Sequence, residues 1–304
     1  MKGLETMVDW FAGIGGFRLA GERNGLKCEG ACDNDQWARQ TYKARFGHDP
    51  EFSDARAVIP GEVPDHDLFC GGFPCPSFSI AGKRKGFRDE RGTLFFEICR
   101  VLEEKRPNYV ILENVTGLLS APFVDEQGAA VPETAGWVFY RILESLGDLG
   151  YNVQWQVLHS RHWVPQDRRR VYIVCSARAI PGPEVLPLFD DAGEVAKGEG
   201  TRAIGRVHSH QGGRVYGPYS IAPTLTAGDK GPFIDTGDGL RLLTPLEKER
   251  LQGFPDNWTE GVSDAQRMRQ CGNAITVQAA EEVIRRLVEC HGNQGRRLDS
   301  QPIG

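Results

Sequence analysis

Alternation constrains this chain more than any other feature. From residue 6 to residue 177, short apolar runs take turns with stretches of helical period. The apolar runs at 6–11, 26–32, 67–72, 109–114, 153–159 and 171–177 predict strands, and 17–24, 35–45, 94–105 and 137–149 predict helices. Gly25 and Gly47 stand where a helix needs a left-handed stop, and Pro107 follows the third helix. Strands separated by helices must run mostly parallel, because each return crossing is made by a helix that packs on the sheet. The expected fold is therefore α/β, a doubly wound, mostly parallel sheet with helices on both faces. With 40% apolar residues, the chain has enough to fill such a core.

The pattern breaks after residue 178. Residues 179–243 are rich in Gly and Pro, carry short β-type runs and lack a helical period, which predicts a second, smaller, irregular or β domain. Residues 244–271 read as a hinge or linking segment opening on a helix at 244–252. A helix over 272–291, with apolar residues at 277, 280, 284, 287 and 288, is expected to pack back on the first domain. Residues 292–304 read as a polar tail.

The 36 basic and 41 acidic residues leave a net charge of −5, which as an average disfavours a polyanion partner. Distribution says otherwise. No Asp or Glu occurs from residue 200 to 228, where Arg202, Arg206, His208, His210 and Arg214 lie, and Lys83, Arg84, Lys85, Arg88 and Arg91 form a second basic island. Ordinary solvated charge would produce the same islands, so composition leaves both readings open. The eight cysteines form no CxxC pair and no Cys/His cluster of zinc spacing, so no metal is expected and the thiols read as reduced. No apolar run is long enough to span a membrane, and the first nine residues are not those of a secretion signal.

Four motifs carry chemistry. Phe11-Ala12-Gly13-Ile14-Gly15-Gly16 joins the first strand to the first helix, where glycines permit a tight turn and let a ligand approach the helix N-terminus. It lacks the third glycine of the dinucleotide fingerprint, which disfavours NAD. Asp33, at the end of the second strand, could accept two ribose hydroxyls, and Asp54 an adenine amino group; either would also serve as a cap or turn residue. In Gly71-Gly72-Phe73-Pro74-Cys75-Pro76 a cysteine sits between two prolines just past a strand's carboxyl end, facing the crevice where open α/β sheets bind ligands. Glu113 tips the most apolar strand, and Arg168, Arg169 and Arg170 precede another, with 168 and 170 on one side. A structural carboxylate cap and a solvated arginine fit those last positions equally well.

Taken together and in order, FAGIGG, GGFPCPSFS, ENV (113–115), QDRRRVYIV (166–174), TPLEKERLQGFP (244–255) and GNAITVQ (272–278) resemble the DNA cytosine-5 methyltransferases, in particular the small bacterial restriction–modification type. The resemblance spans nearly all of 6–289 and is weakest in the second domain, the variable target-recognition region of that family. It implies the S-adenosylmethionine-dependent methyltransferase fold. It also implies Cys75 as a nucleophile toward carbon 6 of a cytosine, Glu113 as the group that protonates or polarises N3, and Arg170 and Arg168 as holders of the base. S-adenosylmethionine, leaving as S-adenosylhomocysteine, would lie on Phe11, Ala12, Gly13, Ile14, Gly15 and Gly16. Asp33 and Asn34 would flank its ribose, Asp54 and Ala55 its adenine, and Asn273 and Ala274 its methionine end. Asn34 and Ala274 depart from the apolar or aromatic residue and the hydroxyl that relatives commonly carry there.

A cytosine inside a duplex cannot be reached by a thiol, so the resemblance implies duplex DNA as partner and rotation of the base out of the stack. Ser79, Lys83, Arg84, Lys85 and Arg91 would close over the backbone. Gln211 would fill the vacated position, Arg214 would read a guanine, and Thr224 would join the groove-reading elements. The expected protein is a cytoplasmic, bacterial or phage-encoded monomer with no obligate protein partner. A tRNA-directed relative of the same fold and a catalytically silent DNA-binding relative are the competing expectations.

Overall fold

The computed structural model describes residues 3–74, 94–124, 129–180, 182–188, 205–206, 214–217, 220–228 and 232–299. Strands β1 (Thr6–Trp10), β2 (Lys27–Cys32), β3 (Leu68–Gly72), β4 (Tyr109–Val115), β5 (Tyr151–His159) and β7 (Arg169–Ala177) form a six-stranded sheet in the order β2-β1-β3-β4-β7-β5; the short β6 (Gln166–Asp167) stands outside it. Pairings among β2, β1, β3 and β4 are parallel, whereas β7 runs antiparallel to both of its neighbours. The mostly parallel α/β expectation holds, with one reversed strand.

The period of two along each strand divides the core. Val8, Trp10, Phe69, Val110, Leu112, Val171 and Ile173 face one side, where helices α3 (Leu94–Lys105) and α4 (Trp137–Asp148) cover them. Met7, Leu68, Cys70, Tyr109, Ile111, Tyr172 and Val174 face the other, under α1 (Gly16–Arg23), α2 (Gln36–Phe46) and α7 (Val277–Asp299). Burial of each such large apolar side chain contributes about 1.5–3 kcal/mol before chain entropy is counted. Helix ends follow local chemistry. Asp35 caps α2 by accepting from the amides of Trp37 and Ala38, and Gly47 closes it in the left-handed region at φ 83°.

Beyond β7 three findings differ from the sequence reading. Residues 182–188 stay against β5 of the large sheet, because the side-chain amides of Gln154 and Gln156 hydrogen-bond the main chain of Pro183, Val185, Leu186 and Leu188. The hinge segment holds two helices, α5 (Pro245–Gln252) and α6 (Asp264–Asn273). Thr244 and Glu247 form a reciprocal capping box on α5, and Ser263 caps α6. Finally, α7 runs on through the expected tail to Asp299, and buried His291 hydrogen-bonds the Tyr109 hydroxyl at 2.9 Å. Beyond β7 the described strands are short: β8 (Gly205–Arg206), β9 (Arg214–Tyr216), β11 (Phe233–Asp235) and β12 (Leu240–Leu242) form a four-stranded sheet ordered β12-β11-β9-β8. Another short strand, β10 (Ala222–Pro223), joins β6 in a separate two-stranded pairing. No helix among the described residues is long and apolar enough to cross a membrane.

Candidate active site

The site begins where β1 ends. The chain leaves the sheet at Trp10, and Phe11, Gly13 and Gly15 all take positive φ values of 57°, 56° and 84° before α1 starts. That conformation suits glycine, and at Gly15 a Cβ would also stand 2.3 Å from the Phe46 ring. The loop is fastened to β2: Ala12 N–H donates to Cys32 O at 3.0 Å and Gly13 N–H to Asp33 Oδ2 at 2.7 Å. Asp33 Oδ1 accepts from the Asp35 amide, so the carboxylate is oriented by two main-chain donors while burial raises its pKa. Asp54 makes an Asx turn onto the Arg56 amide at 3.0 Å, with Ala55 buried beside it.

At the neighbouring strand ends, parallel pairing sets Gly72 of β3 opposite Glu113 of β4. Antiparallel β7 brings Arg170 to Val115, so its Nε lies 3.1 Å from Glu113 Oε1. The pair is poorly aligned for a hydrogen bond, and Oε1 is buried without a hydrogen-bond partner. Burial pushes the Glu113 carboxyl above its ordinary range; the charges of Arg170 and Arg168 oppose that rise. Asn114, next along, donates from Nδ2 to Phe73 O at 2.9 Å and thereby ties the segment just after β3 to β4.

Arg168 serves a different connection. It is 2% exposed, and its guanidinium donates to Leu225 O at 3.0 Å, to Gly272 O at 3.4 Å and to Ala274 O at 2.7 Å. A second buried network continues from there. Gln166 Nε2 donates to Leu251 O and Gln252 Oε1, Gln252 Nε2 to Cys271 O, and Thr276 bonds both Gln252 and Ser160. Together they fix the turn 272–276 against Leu225, Gln252 and Ser160.

These elements surround one cavity of about 490 Å³. Its wall includes the loop residues Phe11, Ala12, Gly13, Ile14 and Gly16, the acids Asp33, Asp54 and Glu113, Arg168 and Arg170, and Asn273 with Ala274. The volume suits a nucleoside-sized ligand.

Comparison with known proteins gives the same fold and more. Among solved structures, Schizosaccharomyces pombe Dnmt2 methyltransferase superposes with a TM-score of 0.69 at 21% identity, over 94% of this chain and 98% of that one. Entamoeba histolytica methyltransferase EhMeth gives 0.63 at 15% identity, over 95% and 99%. Type II methyltransferase M.NgoBI of Neisseria gonorrhoeae is 36% identical over 90% of each chain. Type II methyltransferase M.HhaI of Haemophilus parahaemolyticus is 33% identical over 91% of this chain and 92% of its own. The family profile of C-5 cytosine-specific DNA methylases matches residues 6–185 and 190–289. This chain belongs to that family.

On the methylase's cavity wall stand Asn34 and Ala55, together with the other cofactor candidates except Gly15, whose neighbour is Phe46. Gly15 shapes the loop without lining the cavity. Glu113 and Arg170 come together; Arg168 lines the same cavity but spends its donors on carbonyls. Thr224 Oγ1 donates to Asp167 O, joining β10 to β6, and half-exposed Arg214 opens β9. Cys75, Ser79, Lys83, Arg84, Lys85, Arg91 and Gln211 lie outside the described residues.

Among the cavity residues that the sequence reading did not single out are Gln266, Arg269 and Gln270, all on α6. With only Ala265, Met268 and Cys271 apolar, α6 offers no clear stripe; the Ser263-Asp264 cap was its only signal. Asn114 was read as part of the ENV run without a role, since its partner Phe73 O lies 41 residues earlier.

Proposed function

We propose that this methylase transfers a methyl group to carbon 5 of a cytosine flipped out of a specific short sequence in duplex DNA, through a covalent link between Cys75 and carbon 6. The observation that carries the reading is the buried Glu113–Arg170 pair on the wall of the cavity that the glycine loop and Asp33 also line. Acid, arginine and nucleoside-type cradle thus share one space. The cavity fits S-adenosylmethionine by its chemistry: acids for hydroxyl and amino donors, a helix-opening glycine loop, and buried amide atoms with no partner. When bound, that cofactor supplies an electrophilic methyl group.

The protein's residues do the rest. The Cys75 thiolate adds to carbon 6 while Glu113 gives its proton to N3, and carbon 5 becomes an enamine carbon able to attack. Arg170 beside Glu113 balances the charge that the addition places on the acid. N3 then returns its proton to Glu113, and departure of the carbon 5 proton to solvent restores the double bond and expels the thiolate. Cys32, Cys70, Cys99, Cys175 and Cys271 do not qualify as nucleophile, since all are buried and burial raises each thiol, Cys32 to about 12. Arg214 reads a base edge, and Lys83, Arg84, Lys85 and Arg91 engage phosphates. Type II relatives support a place in a bacterial restriction–modification system.

Duplex carrying 5-fluorocytosine tests the reading, because fluorine at carbon 5 blocks the final elimination. We expect a denaturation-resistant protein–DNA adduct that Cys75→Ser fails to form while still binding S-adenosylhomocysteine. Methylation of tRNA but not of duplex, or no adduct at saturating cofactor, would overturn it.

A further inference from the structure

Helix α6 brings two glutamines to the cavity at a spacing of four residues, so Gln266 and Gln270 share one face about 6 Å apart along the axis. Gln270 is 6% exposed. One end of its amide is held: Oε1 accepts from the buried Thr41 hydroxyl at 3.0 Å. The other end, Nε2, is buried with no hydrogen-bond partner, and so is Oε1 of Gln266. A buried amide left unpaired costs about 1–3 kcal/mol, so two of them on one wall of a ligand cavity point to a ligand that pairs both.

The polarity of the missing ligand follows. Gln270 offers a donor and Gln266 an acceptor. Exposed Arg269, between them in sequence, also lines the cavity and makes no hydrogen bond or ion pair among the described residues. The other two cavity arginines are engaged, Arg168 by carbonyls and Arg170 by Glu113. Elsewhere the wall carries Asp33, Asp35 and Asp54, which repel an anion and suit hydroxyl and amino donors. An anionic group therefore belongs at α6. One turn further on lies Asn273, next to the turn that Arg168 holds.

We propose that α6 binds the amino-acid end of the cofactor, Gln270 Nε2 donating to its α-carboxylate and Gln266 Oε1 accepting from its α-ammonium, with Arg269 adding attraction for the carboxylate. Thr41 is a positioning residue that aims the Gln270 amide. This rests on the S-adenosylmethionine reading and extends it to two side chains.

The test is calorimetric binding to the full chain of two ligands, S-adenosylhomocysteine and 5′-methylthioadenosine, which share the thioadenosine but differ in the amino-acid end. Gln270→Ala should weaken S-adenosylhomocysteine about 10-fold and leave 5′-methylthioadenosine unchanged. Gln270→Glu, similar in size but set against a carboxylate, should weaken the former about 50-fold or more, again without touching the latter. Thr41→Val should give a loss of about 3-fold, and Gln266→Leu repeats the comparison independently should either Gln270 variant fail to fold. Equal losses for both ligands would make these residues structural and overturn the proposal, as would no loss for either. Should the parent bind neither ligand, the cofactor reading itself falls, and this inference with it.

Discussion

Replacing Arg168 with Met separates two roles that one buried arginine can play. Met keeps much of the stem and removes every donor, so Leu225 O, Gly272 O and Ala274 O lose the guanidinium that satisfies them. The two short contacts, at 3.0 and 2.7 Å, are charge-assisted and worth about 1.5–3 kcal/mol each. Removing the charge also relieves its burial, which disfavours the cation in the parent, so the net loss should be about 3–5 kcal/mol. For a chain of this size that lowers Tm by roughly 6–20 °C. Because the 272–274 turn lines the cavity, S-adenosylhomocysteine should bind about 10-fold more weakly at a temperature where the variant is folded. Thermal melting and calorimetry on the same preparation check both. A variant that melts with the parent and binds the ligand normally, yet has lost turnover, would refute the clamp and return Arg168 to the reacting base.

Other substitutions read other parts of the site. Asp9 is fully buried under the glycine loop, accepts from Arg18 N–H at 3.0 Å, and is pushed by burial from 3.8 to about 7. Its proton favours the folded state, so stability is greatest below the unfolded value and falls as pH rises toward 7. Asp9→Asn should gain on the parent by up to about 4 kcal/mol at pH 8 and match it near pH 4, measured by denaturant unfolding; a difference independent of pH would contradict this. Glu113→Gln should lower turnover at least ~100-fold while changing duplex affinity by less than ~3-fold, in single-turnover and binding assays. In the parent the rate should fall as pH rises through the Glu113 titration, and Arg170→Ala should move that fall to higher pH because the charge that opposes the raised pKa is gone. Asn114→Ala loses a buried bond worth about 1–3 kcal/mol and should reduce turnover more than cofactor affinity.

What could be read from residue order was whatever depends on neighbours in sequence. The run Tyr109-Val110-Ile111-Leu112 declares a strand buried on both faces, and the alternation between the two core sides follows from it. The glycine loop announced its turn, and Gly13 and Gly15 take positive φ there, whereas the positive φ of Phe11 had no signal in the sequence. Long-range partners were not legible. The carbonyl that Arg168 meets best belongs to Ala274, 106 residues away, so alternation grouped Arg168 with Arg170 and could not tell their partners apart. Helix α6 was hidden because its inner face is polar: Gln266 and Gln270 face a cavity, and a periodicity reading recognises only apolar faces.

The last helix has a consequence for how the chain is made. Val277, Ala280, Val283, Ile284 and Leu287 are buried against Met7, Phe17 and Ala20, and Arg23 pairs with Glu281 at 3.0 Å. The β1–α1 unit therefore remains uncovered on one side until the residues of α7, more than 250 positions later, have been synthesised. A nascent chain halted before residue 277 presents that oily flank to water, which makes it a client for chaperones and a target for proteases.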